Sequence, residues 1–220
     1  MDSLAALVPG GDPRAARVCI LDYGSGNVRS VQNLVATIAP SVSISNDPAE
    51  IAAATHLILP GVGAFGASMD RIRATLPLDV LAREVLEAGK PFLGICVGMQ
   101  VLATRGLEFG THDGLGWLPG DVRRLESGGM PLPHVGWNSV VPTQSSVLTA
   151  GFGKDLDFYF VHTFVYDAPV ADDVVARTEY GESFCSAVER GNVFGVQFHP
   201  EKSQKAGALL VRNFLSLVRA

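Results

Sequence analysis

The stretch KPFLGICVGMQVLAT, Lys90 to Thr104, decides the reading of the fold. Lys90 to Ile95 is a short apolar run of the kind that forms a buried strand, Cys96 stands at its end, and Val97 to Thr104 reads as a helix. A strand that passes through one cysteine straight into a helix is a nucleophile-elbow pattern, which lifts the side chain to the carboxyl edge of a parallel sheet. Gly94 and Gly98, on either side of Cys96, permit close approach of strand and helix. The helix N-terminus favours a thiolate at that point, and the backbone N–H of Val97 is available to an oxyanion. Taken alone the pattern also suits a buried structural cysteine, which is the reading adopted for Cys19 and Cys185.

Upstream of this stretch, strand and helix signals alternate. Arg17 to Leu21 is apolar and runs into the turn DYGSGN. Val28, Val31, Leu34, Val35 and Ile38 then line one face of a helix within Asn27 to Ile38. Val42 to Ser45 reads as a second strand, and Asp47-Pro48 as an N-cap and first helical residue. His56 to Leu59 is a third strand entering PGVGAFG, followed by helices near Ser68 to Thr75 and Leu78 to Ala88. This repetition predicts a single α/β domain with a central, mostly parallel sheet flanked by helices.

Downstream, Val122 to Arg124, Ser139 to Val141, Phe158 to Phe164, Val174 to Arg177, Ser186 to Glu189 and Val193 to Gln197 read as strands. Their shortness and turn-rich spacing predict antiparallel additions to the sheet. A C-terminal helix carries an apolar face with Leu210, Phe214 and Leu217. Residues 1–16, rich in Pro, Gly and Ala, read as a flexible N-terminal extension before a domain over residues 17–220.

Composition narrows the function. Net charge is −5 and pI about 5.5, which argues against a broad basic face for nucleic acid. Three widely spaced cysteines without CxxC make a poor disulfide framework and fit a reducing compartment, so a cytoplasmic location is expected. No run is long and apolar enough for a membrane helix, so no membrane association is expected. The five histidines show neither HxxxH nor HExxH, and DYGSGN lacks the third glycine of a dinucleotide fingerprint. Neither a metal nor a nucleotide cofactor is expected.

Two further motifs complete a site. In GVQFHPEKS, Gly195 to Ser203, a strand ends at Phe198 and His199 stands at its terminus, where Pro200 stops regular pairing. Glu201 can turn back to hold the imidazole, giving a thiol nucleophile its base and the base its orienting partner. In PGVG, Pro60 to Gly63, the glycines around Val62 allow a peptide flip that presents backbone N–H groups to an oxyanion.

GICVGMQ and GVQFHPEKS, in this order, resemble the motifs of class I (triad) glutamine amidotransferases over nearly all of the chain after residue 16. The resemblance implies Cys96 as nucleophile, His199 as acid and base, Glu201 as its orienting carboxylate, and Val62 and Val97 at the oxyanion. It also implies glutamine contacts at Gly63, Gln100, Glu108, Thr163 and Phe164, with Glu108 facing the substrate ammonium. DYGSGN, PGVGAF, PHVGWN (Pro133 to Asn138) and YFVHTF (Tyr159 to Phe164) further resemble the glutaminase subunits of imidazole glycerol phosphate synthases. That subfamily implies a heterodimer with a (β/α)8-barrel cyclase of histidine biosynthesis, which would receive the ammonia. Asn27, Trp137, Asn138 and Tyr159 would then face the partner. Phe164 departs from the tyrosine that the subfamily often carries there.

Overall fold

The computed structural model describes residues 7–153 and 156–219. Four strands form its first half: β1 (Arg17–Leu21), β2 (Ser41–Ser45), β3 (His56–Gly61) and β4 (Phe92–Cys96). β3 and β4 are buried throughout, as expected of apolar strands covered on both faces. Between them run α1 (Val28–Ala36), α2 (Pro48–Ala53), α3 (Phe65–Thr75) and α4 (Leu78–Ala82), the last continuing into a wider turn over Arg83–Glu87. α1 buries Val31 and Val35. α2 starts as its sequence predicts: Asp47 Oδ1 accepts from Ala49 N at 2.8 Å and Glu50 N at 3.1 Å, with Pro48 in the first turn.

α5 (Val97–Gln100) is only one turn long, shorter than the helix expected to Thr104. The carbonyls that would continue it are taken by a crossing segment: Leu115 N donates to Val101 O, Leu118 N to Leu102 O, and Gly116 N to Ala103 O. The second half contributes β5 (Asp121–Arg124), β6 (His134–Ser139), β7 (Asp157–His162), β8 (Phe164–Asp167), β9 (Val174–Tyr180), β10 (Glu182–Arg190) and β11 (Val193–Val196), then α6 (Gln204–Leu215). The strand expected over Ser139 to Val141 lies mainly one motif earlier, in β6. The single strand expected over Phe158 to Phe164 breaks at Thr163. There the chain leaves its pairing with β6 and joins β5, and Thr163 O accepts from Leu125 N.

The main sheet has eight strands in the order Val141–Pro142, β9, β10, β11, β4, β3, β1, β2. β11, β4, β3, β1 and β2 are mutually parallel, and the other three are antiparallel additions. Register fixes the functional edge. Gly61 pairs with Cys96 and Val196 with Ile95, so the ends of β3, β4 and β11 lie side by side. In open α/β sheets this carboxyl edge is where ligands bind.

Residues 7–16 differ from the loose extension expected. Leu7–Pro9 pairs antiparallel with Leu217–Arg219, Gly11 N donates to Ser216 O at 2.9 Å, and Asp12 caps a short turn over Pro13–Ala15. A strand partner late in the chain was invisible to local composition. Residues 1–6 lie outside the described residues. Leu217, expected on the C-terminal helix, belongs to this terminal pairing instead.

The edge depends on three glycines. A Cβ on Gly98 would lie 1.8 Å from Leu59 O, one on Gly94 2.4 Å from Gly98 O, and one on Gly61 2.5 Å from Gly98 N. Gly98→Ala tests this interlock. A helical Gly→Ala exchange ordinarily gains about 1 kcal/mol, whereas here the clash is with backbone and a loss of about 3 kcal/mol is expected. A urea-unfolding midpoint equal to that of the parent would contradict it.

Candidate active site

Cys96 has φ 56° and ψ −115°, a conformation that costs a non-glycine residue about 1–3 kcal/mol. The packed glycines leave the strand no other way into α5, and the turn carries the sulfur to the edge of a cavity of about 270 Å³. That size suits a molecule smaller than drug-sized ligands.

His199 faces the same cavity from the end of β11. Its backbone is pinned on both sides, N–H to Tyr159 O at 2.9 Å and carbonyl to the Ser203 hydroxyl at 2.6 Å. Nδ1 lies 2.9 Å from Glu201 Oε1, and both side chains are almost wholly buried. The other ring nitrogen, Nε2, is buried without a hydrogen-bond partner among the described residues. The imidazole is thus fixed from behind with its free nitrogen left for chemistry.

Asn27 was expected on a partner face. Its Nδ2 donates to Glu201 Oε1 at 3.2 Å, so it supports the carboxylate from the first turn of the domain. Nothing in DYGSGN signals a partner near the end of the chain.

The electrostatics separate these groups from their chemical equals. Burial disfavours a charged His199, but Cys96 and Glu201 outweigh it and push the imidazole up to about 9. Burial likewise works against a charged Glu201, yet His199 and Asn27 hold the carboxyl below its ordinary range. Cys185, by contrast, is pushed up to about 12 by burial, and burial also raises Cys19. Those two thiols are neutral core groups. Cys96 shares a cavity with the His199 imidazole.

The remaining cavity wall comes from four places. Val62 and Gly63 approach from β3, with Gly63 at φ +94° and the Val62 carbonyl accepting from the Ser25 hydroxyl at 3.0 Å. Val97 and Gln100 approach from α5, and Thr163 and Phe164 from the break between β7 and β8. Glu108 completes the rim from a turn; its Oε2 accepts from Phe65 N, the first residue of α3, at 2.8 Å. One carboxylate oxygen therefore caps a helix while the residue borders the cavity.

Gln100 is more constrained than its sequence suggests. Its Nε2 donates to Phe164 O at 2.9 Å and to Gln197 Oε1 at 3.0 Å. Two acceptors fix the amide orientation, and Oε1 is the atom left for a ligand. Gln197 itself was not singled out from the sequence. It is fully buried, and its Nε2 points at Cys96 Sγ from 3.7 Å. Its place two residues before His199, in a run whose sequence reads as a strand with both on one face, was the available signal; the structure ends that strand at Val196. Pro133, Val161 and His162 also line the cavity unforeseen.

Of the other residues expected at a partner face, Trp137 is 49% exposed and stands edge-on to Tyr159, its cross-strand neighbour, at 6.1 Å. Lys202 Nζ lies over the Tyr159 ring at 5.4 Å. Asn138 points inward, donating to Glu179 O at 2.9 Å. Alternation along β6 turns Trp137 and Val135 out and Asn138 in. Among the described residues no cluster of three His, Cys, Asp or Glu side chains could hold a metal, and no helix is long and apolar enough to cross a membrane.

The profile of the family described as glutamine amidotransferase class-I matches residues 19–217. The chain is 48% identical over 204 residues to the imidazole glycerol phosphate synthase subunit HisH of Salinibacter ruber, covering 90% of this chain and 93% of that protein. It is 44% identical over 203 residues to the subunit of the same name from Symbiobacterium thermophilum, covering 92% and 95%. Among solved structures, a glutamine amidotransferase superposes with TM-score 0.71 at 21% identity, covering 91% of this chain and 98% of that one. PurLQS from Thermotoga maritima superposes with TM-score 0.70 at 23% identity, covering 91% and 97%. These two likenesses carry the fold.

The opposed shifts of His199 and Glu201 define a pH window. A raised imidazole stabilises the folded state fully below its ordinary value of 6.5, and the gain is lost as pH rises through about 9. A depressed carboxyl contributes above its ordinary value of 4.5, and the gain is lost as pH falls through its lower folded value. Both contributions are complete between those ordinary values. In NMR titration the His199 ring is expected to stay protonated through neutral pH; a midpoint below neutrality would contradict the paired arrangement.

Proposed function

We propose, for a chain that belongs to the class-I glutamine amidotransferase family and within it to the HisH subunits of imidazole glycerol phosphate synthase, that Cys96, His199 and Glu201 carry out glutamine hydrolysis. The activity is that of a glutamine amidotransferase in histidine biosynthesis. The observation that carries the assignment of residues is the meeting of Cys96 with a buried His199–Glu201 pair in one small cavity.

Glutamine enters with its carboxamide at Cys96 and its ammonium toward Glu108, while the oxygen of Gln100 accepts from the substrate. Cys96 Sγ, its proton already passed to His199, attacks the amide carbon as a thiolate, and the carbonyl oxygen takes up the negative charge. The N–H of Val97 and the turn at Val62 and Gly63 hold the oxyanion. A His199 that is protonated at the outset acts first as acid: Nε2 delivers its proton to the departing nitrogen as the C–N bond breaks, releasing ammonia. The now neutral imidazole takes a proton from water, which attacks the thioester and frees glutamate. Glu201, steadied by Asn27, keeps the ring oriented through both halves.

The relatives are named as subunits, and a partner subunit follows from that. We take the partner to be a (β/α)8-barrel cyclase. Ammonia passed to it adds to a ribulosyl aminoimidazole carboxamide nucleotide, giving imidazole glycerol phosphate and aminoimidazole carboxamide ribotide. Free ammonia would be protonated and lost in water, so a sealed contact serves the reaction. Exposed Trp137, stacked edge-on against Tyr159, is the anchor for that contact. A cytoplasmic setting suits three buried free thiols.

The deciding experiment measures glutamate release with and without the barrel protein and its nucleotide. Release is expected to be weak alone and strong in the complex, and to vanish in Cys96→Ala; release that persists in that variant would sink the mechanism. Trp137→Ala is expected to weaken binding of the barrel by about 30-fold, a hot-spot loss of about 2 kcal/mol. Calorimetry giving an unchanged Kd would remove Trp137 from the interface.

A further inference from the structure

The inner face of the β6–β7 strand pair holds a hydrogen-bonded chain that the triad chemistry leaves unused. Asn138 Nδ2 lies 3.3 Å from His134 Nε2, His134 Nδ1 lies 3.0 Å from His162 Nε2, and His162 Nδ1 lies 3.1 Å from Phe164 O. Both histidines are buried and directly opposite each other in the strand register.

A single arrangement of protons satisfies every link. A carbonyl only accepts, so His162 carries its proton on Nδ1. In a neutral ring this leaves Nε2 as an acceptor, so His134 must donate from Nδ1. His134 Nε2 then accepts from Asn138. The Asn138 amide is oriented independently, because Nδ2 also donates to Glu179 O and Oδ1 accepts from Ser139 N at 2.9 Å. At the far end, Phe164 O takes a second hydrogen bond from Gln100, whose other hydrogen goes to Gln197. Burial keeps both rings neutral, pushing His134 down to about 4 and His162 down to about 3, the latter also opposed by His134 and His199.

Resting on the glutaminase reading above, we propose that His134 and His162 are positioning residues, which hold the Phe164 carbonyl against the Gln100 amide and so set the cavity wall that receives glutamine. His162, Thr163 and Phe164 line that wall directly. The chain starts on β6, whose alternate residues Val135 and Trp137 face outward. A partner seated on Trp137 therefore grips the strand from which the wall is positioned.

Two measurements test this. With nitrogen-15-labelled histidine in the full chain, NMR at neutral pH is expected to show both rings neutral with the proton on Nδ1. That is the minor tautomer of a free imidazole, so finding either ring charged or protonated on Nε2 would overturn the relay. In the complex with the barrel, His134→Phe keeps a ring between Phe160 and Tyr180, whose centroids lie 5.0 and 3.9 Å away, but removes the donor. The glutamine KM is expected to rise about 10-fold with kcat changed less than about 2-fold, because the wall serves bound substrate and transition state alike. His134→Asn, which offers an amide N–H near the Nδ1 position, should recover part of that loss. An unchanged KM in active His134→Phe, or equal losses of kcat in both variants, would overturn the proposal alone. A parent complex without glutaminase activity would overturn the functional reading and the proposal with it.

Discussion

The contact on which the site rests is backbone against backbone, where Gly98 of α5 lies over Leu59 and Gly61 of β3 with no side chain between. Because α5 must sit that low, the chain has one residue in which to turn from strand to helix, and Cys96 takes the strained conformation that results. A sulfur placed by packing loses little freedom when a ligand arrives, which is the advantage of a preorganised site. The same closeness brings the N–H of Val97 and the side chain of Gln100 to the cavity that Cys96 borders.

Environment, more than residue type, sorts the chain's chemistry. Three cysteines are all buried, yet two are pushed toward the neutral thiol by apolar surroundings and the third faces an imidazole. The histidines divide in the same way. His56, His134 and His162 are kept neutral by burial, and His199, no less buried, is driven the other way by Cys96 and Glu201. Burial costs a charge several kcal/mol unless it is paired, so the sign of each shift reports the presence of a partner.

This also explains how much could be read beforehand. The parallel core was legible because β1, β3 and β4 are mostly apolar runs, β2 carries Val42 and Ile44, and helix patterns stand between them. Cys96, His199 and Glu201 were legible because their motifs sit at strand ends. Features created by pairing across long sequence distances were not. Asn27 looks like a turn asparagine until Glu201 is placed beside it. Gln197 reads as one more strand residue until β11 is laid next to β4. The extent of α5, the bend at Thr163 and the pairing of Leu7–Pro9 were set by strands that arrive from elsewhere, and local periodicity carries no trace of them.

The bond from Asn27 to Glu201 joins the first turn after β1 to the turn after β11. The carboxylate beside the imidazole is therefore steadied only when segments from both ends of the sequence are in place. A chain that lacks its last strands has Cys96 at the end of β4 but no paired imidazole beside it. The buried His199–Glu201 pair is thus assembled late, and any chemistry that uses it would report closure of the whole domain rather than of one segment.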